Sequence, residues 1–395
     1  MQDNEDPKRI YLKTYILAFL IFLSLRQNII MKFNITLILL IIACSLNAQY
    51  KFEIEKQVEC TDVKSQDRTG TCWSFATASF LESEVMRQGN GRHDLSEMFV
   101  VSNIYKDKAR NYMLRQGKAN FSQGSLSHDL INVAMKYGVV PEAVFSGKLA
   151  GATSHDHSEM EAVLKGIMDG LIGRKKLSKT WPSAFNCVLD TYLGTAPEEF
   201  SYNGKTFTPK AFSESLEIDH EDYVSLSSFT HHPFYKNFVL EIPDNYSNGS
   251  FINVPMDELE AIVDNALDAG YSIAWDGDVS ERGFSAGEGI AVLPVDAGRD
   301  DVFENPAEEI VVTQEMRQDK FESYETTDDH LMHLVGKSKD QYGHEYYIIK
   351  NSWGEISDYK GFLHMSAPYF KLKTVAIMVH KDAIPKDIKQ KIKTL

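Results

Sequence analysis

Apolar residues recur every three to four positions in several stretches of the chain, which is the spacing of an amphipathic helix. Two of these stretches stop at a glycine, the residue that most often follows a helix. In another, Glu161 stands three positions after Ser158, so we expect these side chains to form a capping box. The predicted helices cover residues 127–137, 158–172 and 256–269.

Short segments rich in β-branched and aromatic residues cluster late in the chain and predict strands. Helices therefore come first and strands last, which predicts an α+β fold with a helical lobe and a sheet-bearing lobe. No internal repeat and no long linker interrupts residues 49–395, so we expect one domain there. The predicted strands cover residues 271–275, 330–335, 346–350, 361–365 and 375–379.

The N-terminal part has the pattern of a targeting segment. Its apolar runs at 15–25 and 35–43 are too short for a membrane-spanning helix, which needs roughly 20 residues. The second run follows Met31, which we take as the true start, and small residues up to Ala48 follow it, as in a signal peptide. A two-part membrane anchor, or a lipid on Cys44, is the alternative. In each case we expect the folded part outside the cytoplasm of a bacterium, whether periplasmic, secreted or lipid-anchored.

The composition narrows the class of protein. With 43% hydrophobic residues the chain can bury a large core, which excludes a disordered protein. The formal net charge of −15 argues against nucleic acid as a partner, because phosphates require a concentrated basic face. Four cysteines in 395 residues are too few for a disulfide framework. We expect Cys60 and Cys187 to be free thiols, with Cys187 in the core.

One cysteine stands where a helix begins. A polar loop leads into Cys72, and Trp73, Ala76 and Phe80 follow at helical spacing. At the first turn of a helix the free N–H groups and the dipole stabilise a thiolate, which is a strong nucleophile. On position alone, an inert small hydrophobic residue is the more common role of such a cysteine. The case for chemistry therefore depends on the residues that accompany it.

Residues with the complementary chemistry lie near the C-terminus. His330 begins a predicted strand, and Asn351 and Trp353 follow another. A thiolate needs an imidazole to exchange its proton, and a third group must fix the imidazole tautomer. An Asn amide does this under a shielding indole, and Gln66, six positions before the cysteine, is placed to help bind an oxyanion. His333 is the alternative base, but strand alternation places it on the opposite face from His330.

Together these segments resemble the papain-like cysteine peptidases. Any one of the motifs is weak evidence, whereas all of them in this order are highly specific. The resemblance implies a two-lobed α+β fold, with a helical lobe and an antiparallel sheet or barrel lobe. The matching positions are Gln66 and residues 70–75, 95–97, 329–330, 335–336 and 351–354.

The same resemblance implies a role for each matching residue. Thr71 is a departure from residues common in this family, although it should leave the chemistry intact. The implied roles are nucleophile for Cys72, base and acid for His330, orienting residue for Asn351, oxyanion donor for Gln66, shield for Trp353 and substrate contact for Trp73.

Within this superfamily the chain resembles the bleomycin hydrolase and aminopeptidase C branch. The supporting segments are 95–99 and 230–235, with long insertions at about 140–325. The resemblance covers about residues 50–395 and implies an aminopeptidase that trims peptides without a metal or other cofactor. It also implies a homo-oligomer, by resemblance a hexamer. The alternatives are an open-cleft thiol endopeptidase and a catalytically silent binding protein that has kept the fold.

The branch also gives an expectation for the C-terminus. In these enzymes the C-terminal arm lies in the cleft and offers its carboxylate to the free amine of the substrate. Here the arm would comprise about residues 383–395 and end in the carboxylate of Leu395. The alternative is a surface helix docked on the body through Ile384, Ile388 and Ile392.

Three other clusters have residue types that bind metals, and we interpret each as structural. The group His155, Asp156, His157 and Glu159 lacks the spacing of two ligands on one helical face, so we expect a solvated loop. A pair of histidines at 231–232 is expected to pack structurally. The sequence Asp276-Gly277-Asp278 lacks the rest of a calcium loop and is expected to form a turn.

Overall fold

The computed structural model describes residues 50–149 and 151–392, with Tyr15, Phe22 and Arg26 from the preceding part. Two compact units are distinguished, Met1–Tyr50 with Glu304–Pro306 and Lys51–Phe303 with Ala307–Leu395. All elements described below belong to the second unit. The predictions for the signal peptide, for Met31 and Cys44, and for Leu395 lie outside the described residues.

Ten α-helices occur in the described part of the second unit. The first one begins at the candidate cysteine and is buried over most of its length. In chain order they are α1 (Cys72–Arg87), α2 (Glu97–Leu114), α3 (Ser127–Tyr137), α4 (Ser158–Leu171), α5 (Trp181–Leu193), α6 (Pro209–Ser215), α7 (Met256–Asp268), α8 (Gln314–Glu322), α9 (Ala367–Lys373) and α10 (Lys386–Lys391).

The same part of the chain contains thirteen strands, which are β1 (Glu53–Gln57), β2 (Phe200–Tyr202), β3 (Lys205–Phe207), β4 (Tyr223–Ser227), β5 (Asn237–Val239), β6 (Ser250–Asn253), β7 (Ile273–Gly277), β8 (Phe284–Ser285), β9 (Ile290–Ala291), β10 (His330–Lys339), β11 (Glu345–Lys350), β12 (Phe362–Ser366) and β13 (Thr374–His380).

Eleven of these strands form one sheet. Its order is β5-β6-β4-β13-β7-β10-β11-β12-β9-β8, and β1 pairs with the end of β10. Most neighbours are antiparallel, while β4 with β6 and β9 with β12 are parallel. The five strands predicted from the sequence are β7, β10, β11, β12 and β13, which lie side by side in this sheet. The predicted α+β class is confirmed, and the strands that were missed are mostly short.

The central sheet separates two hydrophobic cores, as strand β13 illustrates. Ala376 and Met378 belong to the core shared with the helical lobe, formed with α1 to α5. Ile377 and Val379 belong to the second core, formed with α7 and α9. Because successive side chains of a strand point to opposite faces, one sheet joins both lobes.

A buried hydrogen-bonded cluster fastens α1 to two strands of the sheet. The Ser79 hydroxyl on α1 lies 2.8 Å from Nδ1 of His333 on β10 and accepts a hydrogen bond of 2.8 Å from the Lys350 ammonium on β11. Lys350 also donates to the Thr61 hydroxyl at 3.0 Å. All of these side chains are buried. The cluster therefore fixes the height of α1 on the sheet, about two turns from the cysteine along nearly the same helical face.

Two local predictions are wrong. Ser158 is not a cap, because it is the first residue of α4 and its hydroxyl donates to Asp156 at 2.6 Å, while the Glu161 carboxylate accepts from Gln123 at 2.7 Å. Cys187 is exposed rather than in the core. It lies on the solvent side of α5, whose buried residues are Phe185, Leu189 and Leu193. The three predicted helices themselves are confirmed to within one residue at each end.

The tail of the chain is docked on the sheet lobe as far as it is described. Ile384, Ile388 and Ile392 are each at most 3% exposed and lie in the second core. The Ala383 carbonyl also accepts a hydrogen bond of 2.7 Å from Asn265 on α7. This part of the expected arm is therefore the docked helix that was the alternative. Among the described residues, no helix combines the length and the apolar character needed to cross a bilayer.

We predict that Gly336→Ala destabilises the fold at the point where the neighbour of β10 changes from β7 to β1. A Cβ there would lie 2.4 Å from the carbonyl oxygen of Lys56 on β1, so a strand backbone would have to move. We expect a loss of about 1–3 kcal/mol in the free energy of unfolding, measured by urea denaturation. Gly287→Ala is the control, because its nearest neighbour, the Ser285 hydroxyl, lies 3.8 Å away. Equal unfolding midpoints for both variants would contradict this account of the β1 pairing.

Candidate active site

Cys72 is the first residue of α1 and lies against the start of β10. Its cap residue, Thr71, makes no side-chain hydrogen bond to the helix, and the Thr71 hydroxyl pairs with that of Thr69 at 2.6 Å. The first turn therefore keeps N–H groups that no cap side chain occupies. The backbone N–H groups of Leu331 and Trp73 lie near the Cys72 sulfur and lower the pKa of its thiol. The thiol thus contacts the residue that directly follows His330.

The electrostatics of the thiol differ from the expectation based on helix position. Burial raises the pKa of the Cys72 thiol to about 12, and the carboxyls of Asp328 and Asp276 act in the same direction. The hydrogen bonds from Leu331 and Trp73 lower this pKa, but burial outweighs them. The helix terminus alone therefore does not ionise the thiol near neutral pH. A thiolate here needs a positive partner that receives the proton.

The second group is His330, at the first position of β10, where it is 3% exposed. Its Nε2 donates to Oδ1 of Asn351 at 2.8 Å. The N–H of Ser352 donates to the same oxygen at 2.7 Å, which fixes the orientation of the amide. Nε2 therefore carries the proton, and Nδ1 is the nitrogen that can accept one. Burial lowers the pKa of His330 to about 4, while the bond to Asn351 raises it.

An indole covers this imidazole. The ring of Trp353 stacks on that of His330, with centroids 4.6 Å apart and an angle of 29° between the planes. The Phe284 ring meets the indole edge-on, with ring centroids 6.3 Å apart. Because the indole excludes water from the ring below it, the hydrogen bond between His330 and Asn351 lies in a medium of low polarity.

Gln66 is held beside the same segment. Its Oε1 accepts a hydrogen bond of 2.7 Å from the Ser352 hydroxyl, and its Nε2 donates to the Thr69 carbonyl at 2.6 Å. The backbone N–H of Gln66 donates to the Ser352 carbonyl at 2.8 Å. The side-chain amide is thus fixed with its nitrogen toward the loop before Cys72, and one of its two N–H groups is left for a ligand.

The structure brings Gln66, His330, Asn351 and Trp353 together as expected from the sequence, and it places Cys72 against the same strand. His333 belongs to the buried cluster with Ser79, where burial and the nearby Lys350 ammonium lower its pKa well below the usual value. Its Nδ1 is occupied by the Ser79 hydroxyl, so His333 fastens the helix to the sheet.

Sequence reasoning gave one wrong contact and missed two residues. Trp73 is not presented to a substrate, because it is 1% exposed and its indole N–H donates to the Gln123 carbonyl at 3.0 Å. Ser352, which orients Gln66, had no predicted role, although it lies within the segment 351–354. Asp328 was also missed, and the acidic pair that directly precedes His330 was the available signal.

The loop with His155 and His157 is not solvated, which corrects the prediction. The two imidazoles are 6% and 3% exposed, with ring centroids 5.8 Å apart. Burial lowers the pKa of each to about 4, so both are neutral. Asp156 and Glu159 between and after them are exposed. The two rings are buried because backbone hydrogen bonds hold this loop against Arg68.

The histidine pair at 231–232 forms a hydrogen-bonded cluster with Glu241, and the possible ligand atoms all lie within 4.8 Å of one another. His232 lies 2.6 Å and His231 3.3 Å from the carboxylate. The amide nitrogen of Gln318 donates to Nδ1 of His231 at 2.9 Å and to Glu322 at 2.7 Å. The lone pair of Nδ1 of His231 is therefore occupied by Gln318, and Nε2 carries the proton. Neither ring nitrogen of His231 is available to a metal in this arrangement.

The third cluster matches its interpretation in part. Asp276 and Gly277 end strand β7, and the Asp278 carboxylate accepts hydrogen bonds from the backbone and hydroxyl of Ser280 at 2.8 and 2.7 Å. Asp278 thus forms the expected turn, while Asp276 points into the protein and is 4% exposed.

Known proteins share this sequence and fold. Residues 188–394 match the Peptidase C1-like family, and residues 49–143 match the papain family of cysteine proteases. Aminopeptidase G of Lactobacillus delbrueckii subsp. lactis is 26% identical over 82% of each chain. Aminopeptidase W of the same organism is 25% identical, over 87% of this chain and 85% of its own. Aminopeptidase C of Streptococcus thermophilus is 22% identical, over 81% and 80%.

A solved structure supports the fold independently. The crystal structure titled pepw from Lactobacillus rhamnosis superposes with a TM-score of 0.66, covers 87% of this chain and 85% of its own, and is 19% identical. The family match spans more than half of the chain and includes the segments that carry His330 and Asn351. The protein therefore belongs to the Peptidase C1-like family of papain-like cysteine peptidases.

Proposed function

We propose that this protein is a cysteine aminopeptidase that removes N-terminal residues from peptides through an acyl-enzyme on Cys72. The observation that carries the proposal is the hydrogen bond from Nε2 of His330 to Asn351 beneath Trp353, with the Cys72 sulfur at the adjoining residue of β10. That arrangement leaves Nδ1 of His330 as a proton acceptor. The names of the relatives, aminopeptidases G, W and C, support the preference for N-terminal residues.

The first half of the reaction forms a thioester. Burial opposes a lone charge on Cys72 or on His330, so the thiol proton moves to Nδ1 as the sulfur attacks the carbonyl carbon. The C–O electron pair moves to the oxygen, which the N–H of Cys72 and the free N–H of Gln66 stabilise. His330 then gives its proton to the leaving amine as the C–N bond breaks. The peptide shortened by one residue departs.

The second half regenerates the thiol. His330 takes a proton from water, whose oxygen attacks the thioester carbon. The C–S bond then breaks, the amino acid leaves as its carboxylic acid, and His330 returns the proton to the sulfur. Asn351 keeps the imidazole in one orientation through both steps. No step requires a metal or a redox cofactor.

We also assign the chain to the bleomycin hydrolase branch and place the mature protein outside the cytoplasm. The first assignment is supported by relatives that match over four-fifths of their length, and the second by the sequence pattern that ends at Ala48. A homo-oligomer and a lipid on Cys44 remain expectations from the sequence.

We predict that Cys72→Ser lowers turnover of alanyl-p-nitroanilide at least about 1000-fold, because a serine hydroxyl is not ionised by this imidazole as readily as a thiol. The melting temperature should stay unchanged, since the substitution barely changes side-chain volume. Wild-type rates in this variant at equal fold stability would refute the mechanism.

We predict that His330→Ala slows alkylation of Cys72 by iodoacetamide at pH 7 at least about tenfold. Without the imidazole nothing compensates for burial, which raises the thiol pKa, so the thiolate forms only at alkaline pH. Peptide mapping by mass spectrometry is the measurement, because Cys187 is exposed and also reacts.

His333→Ala is the matched control for that experiment. It removes a buried imidazole three residues away and breaks the bond to Ser79, so it should lower the melting temperature and leave alkylation of Cys72 fast. If only His333→Ala slows alkylation, the two histidines have been assigned in reverse.

A further inference from the structure

Two acidic side chains stand beside the candidate nucleophile, where they oppose its chemistry. Asp328 and Asp276 both raise the pKa of Cys72, and Asp328 has the larger effect of the two. A negative charge near a thiol disfavours the thiolate that the reaction needs. The two carboxyls therefore hinder formation of the thiolate unless a positive charge offsets them. A positively charged group of the substrate would supply that charge.

The positions of the two carboxyls follow from the strands. Asp276 on β7 is the cross-strand partner of Leu331, the residue whose N–H contacts the sulfur. It is 4% exposed, and among the described residues neither of its carboxyl oxygens has a hydrogen-bond partner of ordinary geometry. Asp328 lies two positions before His330 and interacts with Asp276. Burying two carboxyls together is costly, and a proton shared between them satisfies at most one of their oxygens, so the pair can accept a further donor.

Asp328 also opens this pair to a cavity. The cavity is about 660 Å³ in volume and is lined by Asp328 together with two further carboxylates, Glu241 and Glu322. Asp328 is partly exposed there, whereas Asp276 lies behind it. A ligand in the cavity therefore meets an acidic wall that includes Asp328.

At neutral pH the pair holds a proton, because the pKa of Asp276 is raised well above its usual value and that of Asp328 to about 7. Asp244 and Asp329 add repulsion that raises the pKa of both carboxyls, after burial, which has the largest effect. Lys108 on α2 lowers the pKa of Asp328, but its ammonium group donates to the Ser122 carbonyl at 3.0 Å and to that of Gly124. Because these carbonyls occupy Lys108, the pair remains available to a cation from outside.

We propose that Asp328, backed by Asp276, binds the free α-ammonium group of the substrate. In a bound aminoacyl substrate the amine nitrogen lies about 2.5 Å from the carbonyl carbon that the sulfur attacks, so it must lie next to Cys72. The ammonium group would donate to Asp328 and bring the missing positive charge. An acylated amine has neither the charge nor the donors, so it leaves the carboxyls unpaired. This inference rests on the proposed function and names the basis of its selectivity.

The same contact makes the nucleophile respond to the correct substrate. An ammonium group on Asp328 cancels the charge that disfavours the thiolate, so ionisation of Cys72 becomes easier when a free N-terminus is bound. Any proton held by the pair returns to solvent as the ammonium binds.

The test compares two substrates in Asp328→Asn. The measured quantity is kcat/KM for alanyl-p-nitroanilide divided by that for its N-acetyl derivative. We expect this ratio to fall at least about tenfold, mainly through KM for the free amine, and to recover in Asp328→Glu. Asp329→Asn is the control, because it removes the neighbouring charge, whose carboxylate is bound by Thr327 at 2.6 Å. It should change the ratio less than about threefold.

A second readout does not depend on turnover. Asp328→Asn removes a negative charge beside the sulfur, so alkylation of Cys72 by iodoacetamide at pH 8 should become faster than in the wild type. An unchanged substrate ratio, or unchanged alkylation, would overturn the inference. It would also be overturned if N-acetyl-lysyl-p-nitroanilide lost as much as the free amine, because the carboxylate would then recognise a side chain.

Truncation shows whether the carboxylate of Asp328 or that of Leu395 binds the amine. Deleting residues 393–395 should leave the substrate ratio of the wild type in place, whereas a collapse of the ratio in the truncated enzyme would assign the amine to the tail. A wild-type protein that cleaves neither substrate would refute the proposed function itself. Activity with an unchanged ratio in Asp328→Asn refutes only the inference.

Discussion

The site depends on the way α1 is fastened to β10 and β11 by one buried cluster. Ser79 on the helix bonds to His333 and Lys350 on the two strands, at 2.8 Å in each case. Because α1 is rigid, this contact also fixes its first residue, Cys72, about two turns away. The register of the strands pairs His333 with Lys350, so His330 and Asn351 meet at the open end of the same ladder.

Burial then sets the chemistry that this arrangement allows. It raises the pKa of Cys72 and lowers that of His330, so each group alone prefers its neutral form. Transfer of the proton between them creates two charges that offset each other, with Asn351 and two backbone N–H groups as further stabilisation. The acidic residues beside the sulfur work against this transfer until a cation neutralises them. Recognition of a cationic substrate and ionisation of Cys72 are thereby linked through the same acidic residues.

The sequence predicts the parts of this structure that local pattern determines. The long amphipathic helices and the five central strands have strong periodicity, and the roles of Gln66, His330 and Asn351 follow from complementary chemistry. Burial is not local, so the exposure of Cys187 and Trp73 was assigned wrongly and the buried histidines at 155 and 157 were placed in solvent. The pairing of Asp276 with Asp328 depends on the alignment of β7 with β10, which no single segment contains.

The most direct test of the account is to observe the covalent intermediate. The enzyme is mixed with an alanyl p-nitrophenyl ester, quenched in acid within milliseconds and digested, and the peptide that contains Cys72 is analysed by mass spectrometry. We expect the mass of one alanyl group on Cys72, and its absence when the thiol has first been alkylated. Rapid release of nitrophenol with no acyl group on Cys72, or with the group on another residue, would contradict the account.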